Sequence, residues 1–173
     1  MAVDNQSHDA DSSDKPMPAP SLPVAVIMER RALANRWQSE RWAPVDVVPD
    51  EGGPREPRLL EEDSEHARWL HPGFTIELHR DEADGYYLNM TTETPYVFVN
   101  WRMVDDLAVP KIVTVSYHEA GRMMDGGEQV DGVPLPAALF GWLDEFIRAH
   151  YRPEEKRKKG KIKPPSFKGA KRD

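Results

Sequence analysis

The stretch GFTIELHRDEADGYYLNMTTETPYVFVNWRM, residues 73–103, carries the clearest secondary-structure pattern in the chain. Apolar and polar residues alternate through FTIEL, residues 74–78, and again through YVFVNWRM, residues 96–103. Alternation with a period of two is typical of half-buried strands. The pair Asp84-Gly85 separates the first run from YYLNMTT, and Asp-Gly in that position predicts a β-hairpin turn. The stretch therefore predicts antiparallel strands.

Shorter runs on both sides of this stretch predict further strands. Residues 24–28, VAVIM, are apolar on both faces of a strand. Residues 41–49, RWAPVDVVP, hold Pro44, which favours an edge position or a bulge. Residues 111–117, KIVTVSY, predict one more strand, and Leu59-Leu60 are compatible with the start of another. The pattern predicts six or seven antiparallel strands.

Two segments in the second half of the chain predict helices. Ser116 and Glu119 have the spacing of a capping box, which predicts a short helix over residues 118–125, ended by Gly126-Gly127. Residues 136–151 predict an amphipathic helix, because their large apolar side chains share one stripe at helical spacing. That stripe consists of Leu139, Trp142, Leu143, Phe146 and Ile147. We therefore predict an α+β fold, an antiparallel sheet or partly open barrel of six to seven strands covered by a C-terminal amphipathic helix.

Charge and composition divide the chain into three parts. Residues 1–21 predict a disordered acidic leader, residues 22–151 a single α+β domain, and residues 152–173 a disordered basic tail. Residues 21–151 hold 12 Lys and Arg against 23 Asp and Glu, a net charge of −11, whereas residues 152–173 carry +7. No apolar run approaches the roughly 18 residues of a membrane span, and the first residues do not resemble a signal peptide. The sequence predicts a cytoplasmic protein.

The residue types of most catalytic and metal sites are absent or scattered. The chain has no cysteine, which excludes thiolate nucleophiles, iron–sulfur clusters and zinc ribbons. It has neither a G-x-S-x-G nucleophile motif nor a glycine-rich phosphate loop, and its histidines lack metal-site spacing. Two carboxylates could still meet in the fold, so carboxylate catalysis stays open. We predict no catalytic residue, no metal and no cofactor, and the balance favours a protein that is not an enzyme.

The segment RRALANRWQSERW, residues 30–42, concentrates four arginines and two tryptophans in an acidic body. Three interpretations stay open: a hairpin connection whose tryptophans cap the core, a protein-docking surface, and a surface for single-stranded nucleic acid. The acidic body argues against the last of these. The candidate partner-binding residues form two patches. The first is Arg31, Arg36, Trp37, Arg41 and Trp42, and the second is Tyr86, Tyr87, Arg122, Met123 and Met124.

Several short segments of the sequence resemble those of a known family. ERRALANRW, DGYYLN and EAGRMMDGGEQVDGVP resemble the proteobacterial family catalogued as domain of unknown function 3305, over about residues 23–159. The resemblance implies a genomic neighbourhood of molybdenum-dependent formate dehydrogenase and its maturation factors. It brings no catalytic residues with it.

The function that this resemblance implies is an accessory or assembly protein for a molybdenum-dependent formate dehydrogenase. It would act by binding a formate dehydrogenase subunit or a maturation factor. A first alternative is a protein that makes or handles the molybdenum cofactor, molybdopterin-guanine dinucleotide. The predicted antiparallel strands and the missing nucleotide loop argue against a Rossmann-type guanylyltransferase. A second alternative is a nucleic-acid-binding regulator that uses the polycationic segment Lys156–Lys163 of the tail.

Overall fold

The structure is a computed structural model, and it describes residues 19–154. The predicted leader and basic tail, with Lys156–Lys163, fall outside the described residues except for residues 19–21 and 152–154. The described chain forms seven strands and three α-helices, and the strands build two antiparallel sheets. The predicted α+β class and strand number are therefore confirmed, and neither sheet of the described chain closes into a barrel.

The first sheet has four strands in the order β2-β1-β4-β3. These are β1 (Ser21–Ala32), β2 (Glu40–Pro49), β3 (Arg58–Glu62) and β4 (His66–Glu77). Alternate residues of β1 face the core, and Val24, Val26 and Met28 are buried there. The five residues of β3, at the edge of this sheet, are all exposed.

Strand β2 contains the irregularity that Pro44 predicted. It lies at the other edge of the sheet, and its register against β1 shifts between the pairs Ile27–Asp46 and Met28–Pro44. Val45 is the extra residue of this bulge. Proline is tolerated here because an edge strand and a bulge both leave backbone positions that need no ladder hydrogen bond.

The second sheet has three strands in the order β6-β5-β7. These are β5 (Tyr96–Val104), β6 (Leu107–Thr114) and β7 (Val130–Pro134). Asp105 and Asp106 join β5 to β6, and both have positive φ, 50° and 63°. Aspartate tolerates this left-handed conformation better than most residues, and a two-residue hairpin of this kind requires it at both positions.

The hairpin predicted at Asp84-Gly85 is wrong, because this segment is helix α1 (Ala83–Thr91). Tertiary contacts outweigh the local turn preference. Tyr86 is fully buried in the core. Asn89 accepts a hydrogen bond from the Tyr96 backbone N–H at 2.9 Å and donates to the carbonyl of Val115 at 2.9 Å. These contacts tie α1 to the end of the second sheet where β5 begins and β6 ends.

The two predicted C-terminal helices are present. Helix α2 (Tyr117–Asp125) begins at Ser116, whose side-chain oxygen accepts a hydrogen bond from the N–H of Glu119 at 3.1 Å. Helix α3 (Phe140–His150) follows a single 3₁₀ turn, Ala137–Leu139. Its residues Leu143, Phe146 and Ile147 enter the core, as the apolar stripe predicted.

One apolar cluster holds the two sheets and the helices together. It includes Val26 of β1, Ile76 of β4, Val99 of β5, Tyr86 of α1 and Phe146 of α3. The rings of Tyr86 and Phe146 meet edge to face, with centroids 5.8 Å apart. Because strands of both sheets and two helices contribute side chains, the surface features described below rest on one continuous core.

Candidate protein-binding surface

The loop between β1 and β2 holds a tryptophan in an exposed position. The N–H of Leu33 donates to the carbonyl of Ser39 at 2.9 Å, which closes the loop. Within the loop, the side-chain oxygen of Asn35 accepts a hydrogen bond from the N–H of Trp37 at 3.0 Å. Such an asparagine turn fixes the local backbone. Trp37 lies in this turn with 87% of its surface exposed.

Arg36 completes the loop surface. Its guanidinium lies over the ring of Trp37, 5.5 Å from the ring centroid. A cation over an indole face gains about 0.5–1 kcal/mol at an exposed site. The loop therefore presents an arginine and a tryptophan together, and these two residue types are enriched among the residues that dominate protein interfaces.

A row of basic side chains lies next to this loop, on the face of the first sheet that points away from the core. Arg31 of β1 is paired with Arg41 of β2 on one side and with His66 of β4 on the other. Side chains at paired positions of neighbouring antiparallel strands lie about 5 Å apart. Three basic residues on three adjacent strands therefore form a row beside the loop, at the exposed end of the β1–β2 hairpin.

A buried carboxylate holds part of this row. Glu29 is 4% exposed and accepts hydrogen bonds from Nε of Arg31 at 2.5 Å and from Nε of Arg68 at 2.6 Å. Burial acts to raise the pKa of the Glu29 carboxyl, but the hydrogen bonds and charges of the two arginines outweigh it and lower that pKa. The carboxylate stays ionised and fixes one edge of each guanidinium.

A cleft of about 340 Å³ opens beside this arrangement. Its lining consists of Arg31, Ala32, Glu65, His66 and Arg68. His66 also contacts acidic side chains, with Nδ1 2.8 Å from a carboxylate oxygen of Asp63. The lining of the cleft carries side chains of both signs of charge.

Trp42 does not share the surface of Trp37. It is 9% exposed, and its ring lies 5.2 Å from that of Trp69. Arg30 covers this pair, with its guanidinium 5.8 Å from the Trp69 ring centroid. Of the three interpretations of residues 30–42, the structure therefore shows the first for Trp42, whose side chain caps the core. At the exposed end of the hairpin stand Arg31, Arg36, Trp37 and Arg41.

The second predicted patch is divided between the core and the surface. Tyr86 is 1% exposed, and its hydroxyl accepts a hydrogen bond from the N–H of His79 at 2.9 Å. Burial raises the pKa of Tyr86 to about 12. Tyr87 faces outward and stacks on Tyr151, with ring centroids 4.1 Å apart and planes 9° from parallel.

The remaining residues of that patch lie on α2. Arg122 forms an ion pair with Glu82, and Glu82 accepts a hydrogen bond from Ser116 at 2.5 Å. Burial acts to raise the pKa of the Glu82 carboxyl, but the hydrogen bonds from Ser116 and Arg122 outweigh it. Arg122 therefore fastens α2 to the start of α1. Met123 is half-buried, and Met124 is 49% exposed.

Sequence reasoning missed Glu29, His66 and Arg68 as members of the hairpin surface. The alternation of β1 places Glu29 on the same face as Arg31, and that signal was available in the sequence. The register that brings His66 and Arg68 of β4 beside Glu29 and Arg31 could not be predicted from the sequence, because these residues lie more than 30 positions away in the chain.

Between residues 19 and 154, no three His, Asp or Glu side chains come close enough together to hold a metal ion. No helix in that part of the chain is both long and apolar enough to cross a lipid bilayer.

The fold and the hairpin define a small α+β protein of two antiparallel sheets that presents an exposed Trp and Arg surface. The family model described as "Protein of unknown function (DUF3305)" matches residues 23–160. The chain belongs to the DUF3305 family, which confirms the resemblance seen in the sequence. No curated protein and no solved structure matches the chain.

Proposed function

We propose that this protein is a non-enzymatic accessory or assembly protein that binds a protein partner through the β1–β2 hairpin. The observation that supports the proposal most directly is the exposure of Trp37, 87%, in a loop whose backbone is fixed by Asn35. A fixed loop loses little conformational entropy on binding. Most of the apolar surface of the Trp37 side chain would be buried only when a partner covers it.

The proposed partner is a molybdenum-dependent formate dehydrogenase subunit or one of its maturation factors. The support for this choice is the genomic neighbourhood that the family resemblance implies. The contact that the hairpin offers consists of a tryptophan and arginines at one end of a sheet. The candidate partners are taken from the family resemblance.

The proposal is tested by capture of these candidates on the tagged full-length chain. Trp37→Ala should weaken binding of the partner by about 30-fold, as expected for a tryptophan at the centre of an interface. Arg36→Glu should weaken it as well. Because both side chains are exposed, the thermal midpoint should change by no more than about 2 °C in either variant.

A matched control is Leu107→Ala, which removes an exposed apolar side chain beside the other hairpin turn, between β5 and β6. This variant should bind the partner like the wild type. Equal capture by wild type and Trp37→Ala would remove the hairpin from the proposal. Failure of the wild type to capture any formate dehydrogenase component would remove the proposed partner.

A further inference from the structure

The basic row beside the β1–β2 loop has an electrostatic cost in the isolated chain. Arg31 and Arg41 are paired across β1 and β2, and like charges at directly opposed positions are destabilising. Arg31 has Glu29 as a counter-ion. Arg41 forms no ion pair with any acidic side chain between residues 19 and 154. A negative group from outside the chain would relieve this repulsion.

The donors needed to bind such a group are in place. Glu29 accepts hydrogen bonds from the Nε atoms of Arg31 and Arg68. Among the described residues, the terminal nitrogens of these two guanidiniums make no hydrogen bond. A guanidinium that is held at one edge keeps two terminal donors for a second oxyanion, and such bidentate pairs with carboxylates are among the stronger hydrogen bonds in proteins.

The positive region is small, and its size selects the kind of anion. Arg31, Arg36 and Arg41 bring three positive charges to the exposed end of the hairpin, inside a body whose net charge is −11. Glu61, Glu62 and Glu65 lie close by on β3 and before β4. A long polyanion such as nucleic acid would meet these carboxylates as well as the arginines, and repulsion would offset its attraction. A short segment with few negative charges fits between them.

We propose that the hairpin recognises a short acidic segment of a protein, whose aspartate or glutamate side chains bind Arg31 and Arg41 while a neighbouring apolar side chain contacts Trp37. This inference rests on the proposed function, since it names the chemistry of the partner that the hairpin binds. Paired residues of adjacent strands are about 5 Å apart, so two carboxylates two positions apart in an extended segment can reach both arginines.

The test uses the full-length chain and two labelled synthetic peptides. One peptide contains four glutamates around a leucine, and the other has glutamine at each of those four positions. Fluorescence anisotropy at low salt should show at least tenfold tighter binding of the glutamate peptide. Raising the salt should weaken that binding. Equal affinity for the two peptides would overturn the inference.

The charge-reversal variant Arg41→Glu locates the binding. It should weaken affinity for the glutamate peptide at least tenfold, because Arg41 is exposed and lies beside Arg31. The matched control is Arg102→Glu, an exposed strand arginine of the second sheet. If both variants lose affinity equally, the peptide binds elsewhere, for example to the basic tail, and the inference fails. Tighter, Arg41-dependent binding of a single-stranded DNA of the same length would also overturn it.

These outcomes separate the inference from the proposed function. Trp37-dependent capture of a partner with no preference for the glutamate peptide would keep the docking role and remove acidic recognition. Arg41-dependent binding of the glutamate peptide without capture of any formate dehydrogenase component would keep acidic recognition and remove the proposed partner.

Discussion

Replacing Gly85 by alanine is expected to destabilise the protein, although the same change stabilises most helices. Gly85 lies inside α1 with its backbone against the start of α2. A Cβ atom at this position would lie 2.3 Å from the side-chain oxygen of Ser116. That distance is far below van der Waals contact, so the Ser116 side chain must move. Ser116 caps α2 and also donates to Glu82, and both hydrogen bonds depend on its present position.

The magnitude follows from these contacts. Gly→Ala in a helix interior gains about 1 kcal/mol. Loss of the Ser116 cap costs about 1 kcal/mol, and loss of its hydrogen bond to the charged Glu82 costs about 2 kcal/mol. We therefore expect Gly85→Ala to lower the free energy of unfolding by about 2 kcal/mol. Urea denaturation followed by circular dichroism measures this change.

Two further variants make the test specific. Gly121 lies inside α2, and a Cβ atom added there would meet no heavy atom within 4 Å, so Gly121→Ala should stabilise the protein by up to about 1 kcal/mol. In a Ser116→Ala background the obstacle is gone, and Gly85→Ala should cost little. A Gly85→Ala variant that is as stable as Gly121→Ala would refute the reasoning.

Two other predictions concern the hairpin. Trp42→Ala should lower the free energy of unfolding by about 3–5 kcal/mol, because it leaves a cavity beside Trp69. Trp37→Ala should change the free energy of unfolding by no more than about 0.5 kcal/mol. Equal losses of the two variants in urea denaturation would contradict the difference in burial. The pKa of Glu29 is lower in the folded protein than in the unfolded chain. The charge of Glu29 therefore stabilises the fold at pH values above the ordinary glutamate pKa. This stabilisation is lost as the pH falls through the lower pKa of the folded state. The stability difference between wild type and Glu29→Gln should therefore shrink between pH 7 and pH 3, and a constant difference would contradict it.

The features that could be predicted from the sequence are those encoded by nearby residues. The apolar stripe of α3 and the Ser116 cap of α2 depend on residues within a few positions of one another. The capping box itself is only half formed. Glu119 does not return a hydrogen bond to Ser116, and its carboxylate instead accepts one from the Thr114 hydroxyl at 2.7 Å. The spacing of Ser116 and Glu119 located the start of the helix, but it did not predict that Glu119 would bind Thr114, five positions earlier, and not Ser116.

The features that could not be predicted depend on contacts between distant residues. Asp84-Gly85 is a turn signal when considered alone, but the contacts of Tyr86 and Asn89 with the core and with β5 make the segment helical. The basic row of the hairpin likewise depends on the register of β4 against β1, which places His66 beside Arg31. No local pattern in the sequence specifies that register.

The bulge in β2 connects the fold to the candidate surface. Trp42 and Val47 are five positions apart, so they would face opposite sides of a regular strand. Both are buried in the same core, because Val45 is an extra residue that shifts the alternation between them. With Trp42 directed into the core, its neighbour Arg41 must face the other side of the sheet, where it is paired with Arg31. Val45 is therefore the extra residue that allows both halves of β2 to contribute side chains to the core. The same shift in register pairs Arg41 with Arg31.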